Sequence, residues 1–366
     1  MTPVKYHSRA FPPQSINYEA LLPLIAKANT ALGRYDGVME GVPNPDVLLS
    51  PMLGREAEQS SRIEGTQATL KEVLEYEAGD IEVDEARNAD IREVLNYQLA
   101  LKEAVAGLDD LPLSQRLLRN AHATLMQGVR GQHSNPGNYR ETQNWIGADG
   151  CSIDNALFVP PPINIMQTCI DQWEEYLHKG QPDTLVQMAI VHAEFEAIHP
   201  FLDGNGRLGR MIIPLFLYQK EKIKRPSFYI SEELEHNRQK CYDRLRAVSE
   251  NNDWDGWCEF FLQAVVDQAD RNFDKAKAIL SLHEKSRPIV ADITGSQHAI
   301  RALDYFFTRP IFSSFQFRCE IDEIEYATAG AILRRLSEQN FIRLLRPKRG
   351  QRPAIYYFPQ LLEIVS

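Results

Sequence analysis

The feature that most constrains this chain is the spacing of its apolar residues. Over most of its length they recur at three and four positions, the period of a helix with one buried face. Leu21, Leu22, Leu24, Ile25 and Ala28 set that spacing from Asn17 to about Leu32. Leu70, Val73 and Leu74 repeat it after a polar stretch in which Ser60 or Ser61 can cap a short helix and Gly65 can break it. Ile91, Val94, Leu95 and Leu99 form one further stripe, and Leu117, Leu118, Ala121 and Leu125 another. Helices are expected again at 165–177, 185–198 and 208–219, then through a long amphipathic stretch from Ser231 past Leu262. Gly41 to Pro45 is a break, and Gly131 to Pro162, rich in Gly, Asn, Asp and Pro, reads as a hairpin or loop.

Such a chain is mainly α. Beyond Pro288 its texture changes: a helix near Gln297 to Phe307, a helical pair across Phe315 to Gln339, then apolar and basic residues alternating around Lys348, Arg349 and Gly350. Two helices followed by a hairpin with a basic turn is the order of a winged helix. At roughly 150 residues per domain, 366 residues allow two or three domains. The expected division is a helical region at 1–110, a helical core at 111–285 and a winged-helix-like domain at 286–366.

Charge narrows the partners. A formal net charge of -10 argues against a chain wrapped end to end in nucleic acid. Residues 286–366, with 11 basic against 8 acidic residues, leave room for regional DNA contact through Arg346, Lys348, Arg349 and Arg352. The opening MTPVKYHSRAFPPQ has no apolar run, and nowhere do about 18 apolar residues follow one another, so neither export nor a membrane partner is expected. Five cysteines, odd in number and without C-x-x-C spacing, suggest neither a disulfide framework nor a thiolate zinc site, and a cytoplasmic setting fits.

The chemistry concentrates in His199-Pro200-Phe201-Leu202-Asp203-Gly204-Asn205-Gly206-Arg207-Leu208-Gly209-Arg210. Gly204, Gly206 and Gly209 satisfy G-x-G-x-x-G, but the dinucleotide fingerprint needs a preceding strand, and here a helical pattern comes first. The glycines still let backbone N–H groups turn toward an anion at the positive end of a helix starting near Arg207, so a phosphate is expected there. Asn205 can donate from its amide and Arg207 offers a planar fork for phosphate oxygens. Asp203 is an oxygen ligand of the kind Mg2+ accepts together with phosphate and water. His199, at the rim, could take a proton from an attacking hydroxyl. A base, a metal carboxylate, an anion nest and a charge clamp within twelve residues describe phosphoryl or nucleotidyl transfer.

This run resembles the signature of the Fic family, His-x-Phe-x-Asp/Glu-Gly-Asn-Gly-Arg-x-x-Arg, at every specified position, and the resemblance extends over about residues 50 to 270. It implies a Fic helical core with a small β-hairpin flap, and a protein adenylyltransferase that moves AMP from Mg-ATP to a Ser, Thr or Tyr hydroxyl of a target protein or of itself. In that reading His199 is the general base, Asp203 helps to hold Mg2+, and Gly204, Asn205, Gly206, Arg207, Leu208 and Gly209 form the ATP-binding loop. Arg210 holds the γ-phosphate.

The segment Ser60-Ser61-Arg62-Ile63-Glu64-Gly65 is similar to the family's inhibitory-helix motif, Ser/Thr-x-x-x-Glu-Gly/Asn. The resemblance implies that Glu64 pairs with Arg210 and occupies the guanidinium that the γ-phosphate needs. A flap within 144–160 would align the target by strand addition, with Asn144, Trp145, Ile146 and Gly147 near the nucleotide. Phe228, Tyr229, Ile230, Ser231 and Tyr242 resemble positions lining the adenine pocket, although Cys241 stands where the family often has a first Tyr. The resemblance leaves open AMP removal in place of addition, and a homodimer. Two rivals come from the residues: a metallohydrolase using His192, Glu196 and His199, whose spacing is not H-E-x-x-H, and a DNA-binding regulator acting through residues 286–366.

Overall fold

The computed structural model describes residues 2–8, 10–41, 44–79, 84–129, 135–148, 150–321 and 324–365. Residues 131–134 of the expected loop, Asp149 of the expected flap, and Val42 and Pro43 of the expected break lie outside the described residues.

The chain is mainly helical. The helices are α1 (Tyr18–Glu40), α2 (Asp46–Ile63), α3 (Leu70–Glu77), α4 (Glu85–Gly107), α5 (Gln115–Leu125), α6 (Ile163–His178), α7 (Thr184–Ile198), α8 (Asn205–Gln219), α9 (Ser231–His236), α10 (Arg238–Asn251), α11 (Trp254–Thr294), α12 (Ala299–Thr308), α13 (Ser314–Glu320), α14 (Tyr326–Glu338) and α15 (Pro359–Val365). The strands are short: β1 (Val4–Lys5), β2 (Phe158–Val159), β3 (Ile311–Ser313), β4 (Arg343–Arg346) and β5 (Ile355–Tyr357). No described helix is long and apolar enough to cross a membrane.

By packing, the chain forms two compact units. The first comprises Met1–Asp36, Gln59–Gly65 and Asn96–Asp270, and the second Gly37–Glu58, Thr66–Leu95 and Arg271–Ser366. The division expected from the sequence, 1–110, 111–285 and 286–366, follows the chain; packing groups residues differently because α1, α2, α4 and α11 each run from one unit into the other. The border expected near 286 falls inside α11, which accommodates Pro288 in its interior.

In the first unit α7 is buried on nearly every face, and α6, α8 and α10 pack against it. That explains why its sequence is apolar all round instead of striped. Asp183 caps it, accepting from the backbone N–H groups of Leu185 and Val186 at 2.9 Å each. Among the described residues, the expected hairpin within 144–160 pairs through an antiparallel bridge between Ile146 and Phe158. On its other side β2 pairs in parallel with β1, Val4 opposite Phe158 and Lys5 opposite Val159, a strand the apolar pattern did not announce.

Ser60 and Ser61 are not helix caps: α2 starts at Asp46 and carries both, buried, in its last turn, because Pro51 does not interrupt it. Gly65 follows the helix at φ 98°, where a side chain would be strained. The cap of the next helix, α3, is Thr69, which forms a capping box with Glu72.

The second unit holds a three-stranded sheet in the order β3-β5-β4, antiparallel throughout, with α3 against β3 and α13 against α14. Ala78, Ile311 and Ile355 form a small core there, with Leu74, Leu345, Tyr357 and Leu362 around it. The C-terminal elements run helix, strand, helix, helix, strand, strand, and Arg349 and Arg352 bridge in the turn between β4 and β5.

Candidate active site

The loop between α7 and α8 is held in shape by its own residues first. His199 ends α7 with a left-handed backbone, φ 48° and ψ 60°, an uncommon conformation for a residue with a side chain. That twist turns the chain back so that Phe201 is buried. Asn205 then clips the turn: its Oδ1 accepts from the Phe201 N–H and its Nδ2 donates to the Phe201 carbonyl, both at 2.9 Å. Its side chain thus serves the loop.

Gly204, at φ 79°, is the last residue before α8, and its N–H donates to Asp203 Oδ1 at 2.6 Å. The helix begins at Asn205, ahead of the start expected near Arg207, so Asn205, Gly206 and Arg207 form its first turn. The Leu208 side chain is wholly buried and its N–H donates to the Gly204 carbonyl.

Two glycines admit neighbouring side chains. A Cβ on Gly206 would collide with Glu64 Oε1, and one on Gly209 with Glu196 Oε1. Through the first gap the Glu64 carboxylate reaches Arg210, with 2.7 Å between Oε1 and the guanidinium. Arg210 is 6% exposed and Glu64 34%. The same guanidinium donates to Ser60 Oγ and to the Ser60 carbonyl, each at 2.8 Å, so two residues of the inhibitory-type segment grip one arginine. Burial works to raise the Glu64 pKa, but Arg210, with Arg207 and His199 adding, outweighs it and holds the carboxyl below its usual range. Burial works against the Arg210 charge, which Glu64 and Glu196 restore.

His199 Nδ1 lies 3.3 Å from the Glu196 carbonyl. Burial pushes the imidazole down to about 4, so the ring is neutral at neutral pH and able to accept a proton. His192 is also pushed down to about 4 by burial, and its Nδ1 turns to the Gly209 carbonyl at 3.2 Å. His192, Glu196 and His199 therefore do not converge on a metal, and no three-residue His/Cys/Asp/Glu metal cluster occurs among the described residues. Asp203 is 45% exposed, with Oδ1 engaged by Gly204 N–H and 3.6 Å from Arg207. One outward carboxylate suits Mg2+ that takes its remaining ligands from phosphate and water.

Three residues that the sequence reading missed hold the site from outside, two on the loop and one on the end of α2. His122 on α5 accepts from the Gly137 N–H at Nδ1 (2.9 Å), so its proton is on Nε2, 3.0 Å from the Asp203 carbonyl it donates to. Its ring stacks on Phe201 at 3.9 Å and 17°. Arg140, buried, donates to the carbonyls of His199 (3.0 Å) and Pro161 (2.6 Å), a cation at the C-terminal end of α7. Arg238 donates to the Ile63 carbonyl at 2.6 Å, holding the end of α2. The one signal in the sequence for His122 was a polar residue on an apolar stripe.

Asn144 joins the same group, its Nδ2 donating to the carbonyls of Phe201 (3.0 Å) and His199 (3.3 Å). Trp145 and Ile146 are exposed, the Trp145 indole donating to the Cys151 carbonyl at 2.9 Å, and Gly147 packs where a Cβ would strike Cys151 Sγ. Tyr242, 48% exposed, lies under Arg238, and Phe228 is wholly buried against Tyr35.

A helix-bounded loop thus brings together an imidazole, an outward carboxylate, a glycine-opened helix end and a buried arginine. The sequence profile of the Fic/DOC family matches residues 112–217, and that of the Fic/DOC family N-terminal region matches 22–106, together just over half of the chain. The chain belongs to the Fic/DOC family. It is 28% identical over 167 residues to a protein adenylyltransferase Fic of Drosophila grimshawi, covering 42% of this chain and 31% of that protein. A probable protein adenylyltransferase of Aquifex aeolicus is 37% identical over 99 residues, 27% of this chain and 28% of the other. The matches thus span about a third of these relatives' own length. A Fic family protein from Desulfovibrio desulfuricans G20 shares the fold with a TM-score of 0.61 at 22% identity, over 95% of this chain and 98% of that one. Fic-1 from C. elegans does so with 0.56 at 16% identity, over 75% and 80%.

Proposed function

We propose that this chain is a protein adenylyltransferase, transferring AMP from Mg-ATP to a hydroxyl of a target protein or of itself, and that Glu64 restrains it. The observation carrying the proposal is the carboxylate of Glu64 seated on Arg210 and over Gly206 in the first turn of α8, an anion lodged where a helix end and a buried guanidinium call for one. In the working state the γ-phosphate takes that place, and the α- and β-phosphates lie along Gly204 to Arg207. Asp203 would help to hold Mg2+, which would supply charge neutralisation at the phosphates. His199 accepts the hydroxyl proton, the oxygen bonds to the α-phosphorus, and the bond to the β-phosphate oxygen breaks to release pyrophosphate.

The flap supports delivery of an extended target. Because the Ile146 N–H and C=O face Phe158, alternation turns those of Trp145 and Gly147 to the open edge, and β1 already covers the other side of β2. Tyr242 with Arg238 is the proposed adenine side. Cytoplasmic residence is proposed with support from five free thiols.

Mg2+ and α-labelled ATP given to wild type, Glu64→Gly and Glu64→Gly/His199→Ala test the reading. Label on protein should rise in the single variant and vanish in the double; no label in any of the three would overturn AMP transfer, and γ-labelled ATP would then be tried. AMP removal by the same residues is the competing use of the site, read as loss of label from premodified protein. For residues 286–366 we propose a winged helix that contacts DNA phosphates, supported by the basic turn at Lys348 and Arg349 between β4 and β5. Its binding should weaken steeply with salt, and no salt dependence would refute it.

A further inference from the structure

Gly206 and Gly209 are three residues apart on α8 and so share one helix face, about 5–6 Å from each other. A carboxylate lies against each bare position: Glu64 Oε1 over Gly206 and Glu196 Oε1 over Gly209. Arg210 follows Gly209 directly, and one of its guanidinium nitrogens would stand 3.0 Å from a Cβ on Gly206. Two carboxylates therefore lie along a single stripe, and both act electrostatically on the Arg210 guanidinium.

They are not equivalent. Glu64 receives a hydrogen bond from Arg210 at 2.7 Å, whereas among the described residues no donor reaches the Glu196 carboxylate. Its charged and titratable neighbours are Arg210 on α8, Glu64 beyond the end of α2, and Cys241 on α10, whose thiol burial pushes up to about 12 and keeps neutral. On its own helix His199 faces the Glu196 carbonyl, and His192 turns away to Gly209. Burial raises the Glu196 carboxyl to about 7, with Arg210 opposing and Glu64 adding to the rise. The Glu64–Arg210 contact does not account for this second carboxylate.

We propose that Glu196 is a positioning residue for the anion end of the site: it keeps Arg210 in place when Glu64 leaves, and it takes up a proton when the third phosphate of a nucleoside triphosphate settles beside it. The proposal rests on the nucleotide reading given above. A terminal phosphate carries more negative charge than the carboxylate it replaces, so its arrival disfavours a second anion on the same stripe. The proton comes from solvent, bonds to a Glu196 carboxylate oxygen, and returns to solvent when the phosphate departs. A nucleoside diphosphate does not bring that charge to the stripe.

Calorimetric titration of Mg-ATP and Mg-ADP at pH 7, in two buffers of different ionisation heat, counts the protons bound. Glu64→Gly and Glu64→Gly/Glu196→Gln are compared, with melting curves to establish that both are folded. Glu64→Gly should take up on the order of half a proton with Mg-ATP and much less with Mg-ADP, and the double variant should show no such difference. Equal uptake in the two variants would overturn the role of Glu196 while leaving nucleotide binding intact. Failure of folded Glu64→Gly to bind Mg-ATP at all would overturn the nucleotide reading, and this inference with it.

Discussion

Replacing His122 by Phe should loosen the loop without emptying the core. The phenyl ring preserves the stack on Phe201 but strands the Gly137 N–H and the Asp203 carbonyl, which His122 serves at 2.9 and 3.0 Å. Each lost bond contributes about 1 kcal/mol, and a stranded buried group adds about 1 kcal/mol where water cannot reach it, so the change should cost about 2–4 kcal/mol locally. His122→Ala also removes the ring contact and should cost about 1–2 kcal/mol more. Amide exchange reads this directly: 2 kcal/mol is roughly a thirtyfold loss of protection at Gly137. Because Asp203 is then released at its carbonyl, Mg-ATP binding by a Glu64→Gly background should weaken about tenfold, which is roughly 1.4 kcal/mol of lost preorganisation. Unchanged exchange at Gly137 in His122→Phe would refute the reasoning, since it would mean that neither hydrogen bond holds the loop.

Glu64→Gln removes the charge and keeps the shape; a charge-assisted bond to a partner one-third exposed is worth about 1–2 kcal/mol, so label transfer should rise roughly tenfold. Ser60→Ala deletes one Arg210 contact of 2.8 Å and should raise transfer only about two- to fivefold, measured in the same assay. The His199 pKa is lowered to about 4, so the acidic limb of transfer by Glu64→Gly should lie near 4, and a limb near 6.5 would show that the ring titrates freely. His122, His192 and His199 all have folded pKa values below the unfolded one. The unfolded chain therefore binds more protons between about 4 and 6.5, so stability is present above that window and is lost as pH falls through it, which acid melting curves check.

The helices were legible because their apolar residues recur at the helical period, and α6 and α7 begin and end within two residues of expectation. The start of α8 was misplaced because Asn205 and Gly206 are weak helix formers, and only the left-handed turn at Gly204 fixes the helix start there. β1 and β2 are two residues each, too short for alternation to register, and their pairing joins residues 154 positions apart, which no local pattern reports. Among site residues, the loop run announced itself by crowding charges and glycines into twelve positions. His122, Arg140 and Arg238 did not, because each acts on backbone carbonyls distant in sequence, and a carbonyl has no residue type to read.

That difference bears on what a signature can specify. Gly204, Gly206 and Gly209 contribute space, and space is useful only if the side chains around it are held. Here Glu64 enters at Gly206 because Ser60 and Arg238 hold the end of α2, and Glu196 lies over Gly209 because α7 carries it to that position. The loop keeps its left-handed turn at His199 because Arg140 and Asn144 bind the carbonyl of that same residue. A chain with the same twelve residues but without these holders would have the donors and the acids in the right order and at the wrong distances. Since a guanidinium contact at 2.7 Å loses most of its strength within an ångström, the Glu64–Arg210 contact and the shape of the loop depend on residues outside the run as much as on those within it.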